Sequence, residues 1–212
     1  MLNFLRVCLL SVAVGLLASG ARAQITAPDL LVRQTVEEVL RILQSDRQVQ
    51  AGNLERIARL MEEKVAPHFD FARMTRLAVG RSWREATPEQ RETLMREFRT
   101  LLVRSYSAAF TFYQGIAVEY RPLRMNPGDQ EATVGTVVRL PGGAQPITVD
   151  YDMALTDSGW KVFDVRIDGA SLVINYRNVF SQEIQRGGIE GLIRSLIAKN
   201  SGRVSTGAKT QP

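Results

Sequence analysis

The hydrophobic period of this chain changes twice. From Pro28 to about Phe112 apolar residues recur every three to four positions, from Gly115 to Ile167 every second position, and from Leu172 to Lys199 every three to four again. The first spacing buries one stripe of a helix, and the second buries one face of a strand. The chain therefore reads as helices, then strands, then helices. Strands joined by short turns pair as antiparallel neighbours with one apolar and one wet face. The flanking helices must cover the apolar face, so the fold class is α+β, with a curved antiparallel sheet of about four strands backed by helices.

The punctuation supports that order. A first helix runs from Pro28 to about Gln48, with Val32, Val36, Val39, Leu40 and Leu43 on one face, and a second follows Gly52-Asn53 and stops at Pro67. A short helix spans Asp70 to Val79 and closes at Gly80. Thr87-Pro88-Glu89-Gln90 combines an N-cap, a proline at the first helical position and the reciprocal partner of a capping box; the helix it opens reaches about Phe112. Turns at Asn126-Pro127-Gly128-Asp129, Pro141-Gly142-Gly143 and Asp157-Ser158-Gly159 separate the strands. In the last strand Phe163, Val165 and Ile167 share a face, and Asp168-Gly169 ends the sheet. Ser171 can cap a helix from Leu172 to about Arg186, broken by Gly187-Gly188, with a last helix from Ile189 to Lys199.

The N-terminus reads as an export signal. Arg6 supplies the positive end, Val7 to Ala18 the apolar stretch, and Ala21-Arg22-Ala23 a small-x-small cleavage pattern, so cleavage is expected before Gln24. Gly20 and Arg22 come too early for the roughly 20 apolar residues of a membrane span. The expected organisation is a signal peptide over 1–23, one domain over 24–200 and a disordered polar tail over 201–212. Cys8, the only cysteine, falls in the signal, so the exported chain has no disulfide, cysteine metal site or thiol nucleophile. Losing Arg6 and Arg22 lowers the net charge from +5 to +3. That balance is mild and interspersed with acids; it argues for solubility, with a weak attraction to anionic membranes as the other reading, and not for nucleic acid.

Few residues could carry chemistry. His68 is the only histidine, without an HxxxH or cysteine partner, and reads as a structural residue at a helix end. Asp150 and Asp152 lie roughly 7 Å apart on one strand face, but on the polar side of Val149, Tyr151 and Met153, where a solvated face is the stronger reading. Ser171 lacks the nucleophile-elbow glycines. Phosphate-loop and dinucleotide fingerprints are absent from the sequence. The expectation is binding without catalysis, with no catalytic residue, metal or cofactor.

Three strings carry a family resemblance. They are Val65-Ala66-Pro67-His68-Phe69-Asp70-Phe71 leading into Leu77-Ala78-Val79-Gly80-Arg81-Ser82-Trp83-Arg84; Thr87-Pro88-Glu89-Gln90-Arg91 with Leu101-Leu102-Val103-Arg104-Ser105-Tyr106; and Trp160-Lys161-Val162-Phe163-Asp164-Val165 followed by Asp168-Gly169-Ala170-Ser171-Leu172-Val173-Ile174-Asn175-Tyr176-Arg177. With Gly188-Ile189-Glu190-Gly191-Leu192-Ile193 they cover most of residues 30–199, and together they resemble the MlaC (toluene-tolerance, Ttg2-type) family of periplasmic phospholipid-binding proteins. The resemblance implies an NTF2-like cone with added helices at both ends. It also implies a periplasmic shuttle whose partners are phospholipid, an outer-membrane lipoprotein complex and an inner-membrane MCE–ABC transporter. A subgroup with this pattern is associated with hopanoid-type lipids, and both cargos stay open at this point.

In such a cone the lipid-facing candidates are Val149, Tyr151, Met153, Val165 and Ile167 from the strands, and Tyr106, Phe110, Val173, Tyr176 and Phe180 from the helices. Ordinary core packing is the competing reading for each. Two rivals accompany the carrier: an enzyme on a small apolar substrate, which needs a carboxylate or histidine aimed inward (Asp164 being the strand acid of ambiguous facing), and a protein-binding adaptor with a closed core.

Overall fold

The computed structural model describes residues 25–108, 110 and 115–202; the expected signal peptide over 1–23 and most of the expected polar tail lie outside them. The first helix ends earlier than its apolar pattern. α1 spans Pro28–Ser45, and the carboxylate of Asp46 accepts from the amides of Gln48 (2.9 Å) and Val49 (3.3 Å), so the chain restarts as the single-turn α2, Arg47–Gln50. Asn53 caps α3, Leu54–Leu60, in the same way. A π-helical turn over Met61–Val65 and a 3-10 turn over Ala66–His68 then lead the chain off the helix at Pro67. α4 spans Phe71–Val79, capped by Asp70, and Gly80 leaves it with φ +68° into a 3-10 turn, Gly80–Arg84.

The capping box forms in full. The Gln90 amide donates to Thr87 Oγ1 at 3.2 Å and the Thr87 amide donates to Gln90 Oε1 at 2.9 Å, opening α5, Pro88–Ser107. The expected extension of α5 to Phe112 meets residues outside the described set.

The sheet is a fully antiparallel meander in the order β1 (Ala117–Tyr120), β2 (Glu131–Arg139), β3 (Ile147–Thr156), β4 (Gly159–Ile167) and β5 (Ala170–Ser171). It has five strands where the sequence suggests about four. Asp168-Gly169 does not break the sheet; it reverses the chain, with φ +46° and +81°, and lays two more residues against β4. α6, Leu172–Asn200, is kinked where the sequence divides it: Gly188 has φ +64° between two helical segments.

Three apolar clusters hold these layers together. One joins α4, α5 and both halves of α6 around Phe98, which is fully buried. A second joins α1 to α2 and α3 through Val39, Leu43, Val49 and Ile57. The third sets α1, through Val32, on the inner sheet face at Val134, Met153, Trp160 and Val162.

Candidate functional site

Between the inner sheet face and the helices lies a cavity of about 460 Å³, within the range of roughly 300–1,000 Å³ usual for ligand pockets. Strand alternation supplies one wall, with Val118 of β1, Val138 of β2, Val149, Tyr151 and Met153 of β3, and Val165 and Ile167 of β4 all pointing inward. α1 supplies the wall opposite, through Leu31, Val32, Val36, Val39 and Leu40, and α5 adds Leu102, Val103 and Tyr106.

Tyr151 shows what kind of space this is. It is enclosed by protein, and burial raises its pKa against the opposing hydrogen bond to Thr136. It nevertheless keeps accessible surface, because the surface it exposes belongs to the cavity. Met153, deeper on the same strand, is fully buried. Tyr106 and Ile167 line the cavity and are also open to solvent, each 38 % exposed, which marks where it reaches the surface. The Tyr106 pKa is pushed up to about 12 by burial and by neighbouring Tyr176, so the rim carries a neutral phenol.

Seven of the ten sequence-derived candidates stand on this wall: Tyr106, Phe110, Val149, Tyr151, Met153, Val165 and Ile167. Val173, Tyr176 and Phe180 do not; they belong to the helical core. Leu172, Tyr176 and Phe180 form one stripe of α6, and only Leu172 reaches the cavity. The Tyr176 and Phe180 rings meet Phe98 of α5 edge-on at 4.9 and 5.0 Å, as aromatic quadrupoles favour. Sequence reasoning also passed over α1 and the turn carrying Val65, Ala66 and Phe69, although the three-to-four spacing of α1 marks the stripe that lines the cavity.

A β-bulge corrects the reading of β4. Asp152 pairs with Asp164 but Met153 pairs with Val162, leaving Phe163 as the extra residue. Val162, Val165 and Ile167 therefore face inward, and Phe163 turns to the outer face, where the Arg73 guanidinium lies 3.5 Å from its ring centroid. Asp164, which pairs with Asp152 and alternates with the inward Val165, is nine-tenths buried and aimed at the start of α6. Its carboxylate accepts from the amides of Val165 (2.8 Å) and Val173 (3.0 Å) and from the Ser171 hydroxyl. Ser171 Oγ in turn accepts from the Ile174 amide at 3.0 Å. Both side chains satisfy a helix N-terminus, and neither lines the cavity.

His68 closes the 3-10 turn Ala66–His68, and its imidazole is on the cavity wall. Burial, then nearby Lys161, lowers its pKa against the opposing pull of Glu38, so the ring is neutral at pH 7. Asp150 and Asp152 lie on the other side of the sheet, ion-paired with Arg121 and Arg166, and Thr133 donates to Asp152 at 2.7 Å. That outer face has a larger, open depression of about 860 Å³, lined by charged residues such as Arg121, Arg124 and Glu131. Among the described residues no group of three or more His, Cys, Asp or Glu could hold a metal ion, and no helix is long and apolar enough to cross a membrane.

The sequence and the fold both have known counterparts. The family model described as "MlaC protein" matches residues 33–198. The chain is 25 % identical over 162 residues to the toluene tolerance protein ttg2D of Pseudomonas putida, covering 76 % of this chain and 74 % of that protein. It superposes on the phospholipid-binding protein from Ralstonia solanacearum, solved in complex with a phospholipid, with a TM-score of 0.77 and 33 % identity over 84 % of this chain and 99 % of the other.

Proposed function

The chain belongs to the MlaC family, and from that premise we propose that it is a phospholipid-binding transport protein working in the periplasm, with acyl tails held in the cavity between α1 and the inner sheet face. The observation that carries this reading is Tyr151, enclosed by protein yet facing an apolar cavity. The phospholipid complex of the Ralstonia counterpart supports the same cargo class.

The energetics call for a carrier. Each buried methylene is worth about 0.8 kcal/mol, so releasing a diacyl lipid of about thirty methylenes into water costs roughly 20 kcal/mol. A lipid does not cross an aqueous space alone against that cost. A cavity walled by Val, Ile, Leu and aromatic side chains exchanges one apolar host for another, so transfer needs docking more than chemical energy at this protein. The donor and acceptor in this reading are an outer-membrane lipoprotein complex and an inner-membrane MCE–ABC transporter, and the N-terminal 23 residues are the export signal.

Non-catalytic carriage is consistent with the placement of the polar groups. Asp164, the acid an enzyme reading would need aimed inward, is held by the α6 N-terminus. His68 is on the wall as a neutral ring.

Purified protein should retain lipid, identified by native mass spectrometry and organic extraction; the masses separate diacyl phospholipid from hopanoid. A ligand-free protein after mild purification would reject the reading. Tyr151→Asp and Val165→Asp each place a carboxylate on the cavity wall and should reduce retained lipid at least tenfold, since an unpaired charge against hydrocarbon costs several kcal/mol. Unchanged retention in folded variants would remove these residues from the site.

A further inference from the structure

We propose that the 3-10 turn Gly80–Arg84, with the faces of α4 and α6 beside it, is a docking surface for anionic membrane headgroups. Four exposed arginines meet there. Arg76 is in the last turn of α4 and its carbonyl accepts from the Gly80 amide; Arg81 and Arg84 belong to the turn itself. Arg177 comes from α6, its Nε lying 3.2 Å from where a Cβ on Gly80 would stand. The positive φ favours glycine there, and the missing Cβ lets the guanidinium lie close. Arg91 of α5 donates to the carbonyls of Trp83 (3.1 Å) and Arg84 (3.3 Å), fixing the turn from beneath.

The cluster is uncompensated. Several cations elsewhere have carboxylate partners, as in Arg56 with Asp46, Lys64 with Glu38 and Arg73 with Glu131. Among the described residues Arg76, Arg81, Arg84 and Arg177 form no ion pair. α4 has no acid, α6 has none before Glu183, and the turn is followed by the single acid Glu85.

Apolar side chains share the patch. Leu77, in the last turn of α4, is 36 % exposed, and Ile174, three before Arg177 on the same face of α6, is 57 % exposed. Half-buried Trp83 is in the turn. Guanidinium forks match phosphate oxygens in bidentate fashion, which favours arginine over lysine at a phosphate surface. Tryptophan and leucine beside basic residues suit the depth of lipid headgroups.

The proposal makes no use of the cavity's contents, so vesicle binding and cargo retention succeed or fail separately. The test is co-sedimentation of purified protein with vesicles of phosphatidylcholine alone or with about 30 % phosphatidylglycerol, at about 0.05 M and about 0.5 M salt. The protein should bind the anionic vesicles at low salt, be released at high salt, and leave the neutral vesicles unbound. Arg81→Ala with Arg84→Ala should weaken binding about thirtyfold, roughly fivefold for each arginine, with Arg76→Ala and Arg177→Ala as a second pair. Arg47→Ala with Arg59→Ala makes the same change in net charge on another exposed surface and should stay within about twofold of the parent. Absence of binding to anionic vesicles, as for a surface that meets only an acidic protein, would overturn the proposal. So would patch variants that bind like the parent, or a control pair that weakens binding equally.

Discussion

His68 illustrates how one side chain reads differently once its neighbours are known. In the sequence it is a lone histidine at a helix break; in the fold it ends a 3-10 turn and faces the cavity. Burial and Lys161 lower its pKa from the ordinary 6.5, so the unfolded chain takes up a proton at this position before the native protein does. The stabilisation is complete above the ordinary value and is lost as pH falls from there through the native value. His68→Gln should therefore lose less in Tm than the parent between about pH 7.5 and pH 5.5. Equal losses would mean that the imidazole protonates as freely in the native protein as in the unfolded chain. Asp164 makes the same point with the opposite outcome. Alternation with Val165 and Ile167 turns it away from the cavity, and only the fold brings the α6 amides within its reach.

Among the elements, α5 is the most legible because its start is written in side-chain chemistry confined to four residues. The reciprocal bonds of Thr87 and Gln90 need no tertiary partner, although Gln90 also reaches Glu190 on α6 at 2.7 Å. Thr87→Ala should lower stability by about 1 kcal/mol in urea unfolding with an unchanged m-value; a loss below a few tenths would mean that tertiary packing holds the helix start without the cap. The break after α1 is also local, since Asp46 bonds amides two and three residues on, yet the continuing apolar spacing hides it. β5 is less legible. Two residues carry no period, and they form a strand because the turn at Asp168-Gly169 delivers them to the free edge of β4.

For the whole molecule, the main consequence of the layering is an interior left partly unfilled. A ligand that binds the native state and not the unfolded chain stabilises by mass action, by about 2.7 kcal/mol at a hundredfold excess over its Kd. Stripping bound lipid with detergent or solvent should therefore lower the Tm, and adding phospholipid back should restore it. A stripped protein that melts at the same temperature would argue that the cavity collapses without cost or holds no ligand. By itself the sequence determined the order of elements, the antiparallel meander, the α5 cap and the inward face of β3, because each depends on contacts within a few residues or on simple alternation. It also carried the family, through strings spread over most of the chain. Only the tertiary structure decided which apolar side chains face a cavity and which fill a core. Tyr151 and Phe180 are alike in sequence terms, an aromatic on the apolar face of its element. One faces the cavity and the other packs onto Phe98, because which layer each side chain meets, and not residue type, is set by how the helices pack against the sheet and against one another.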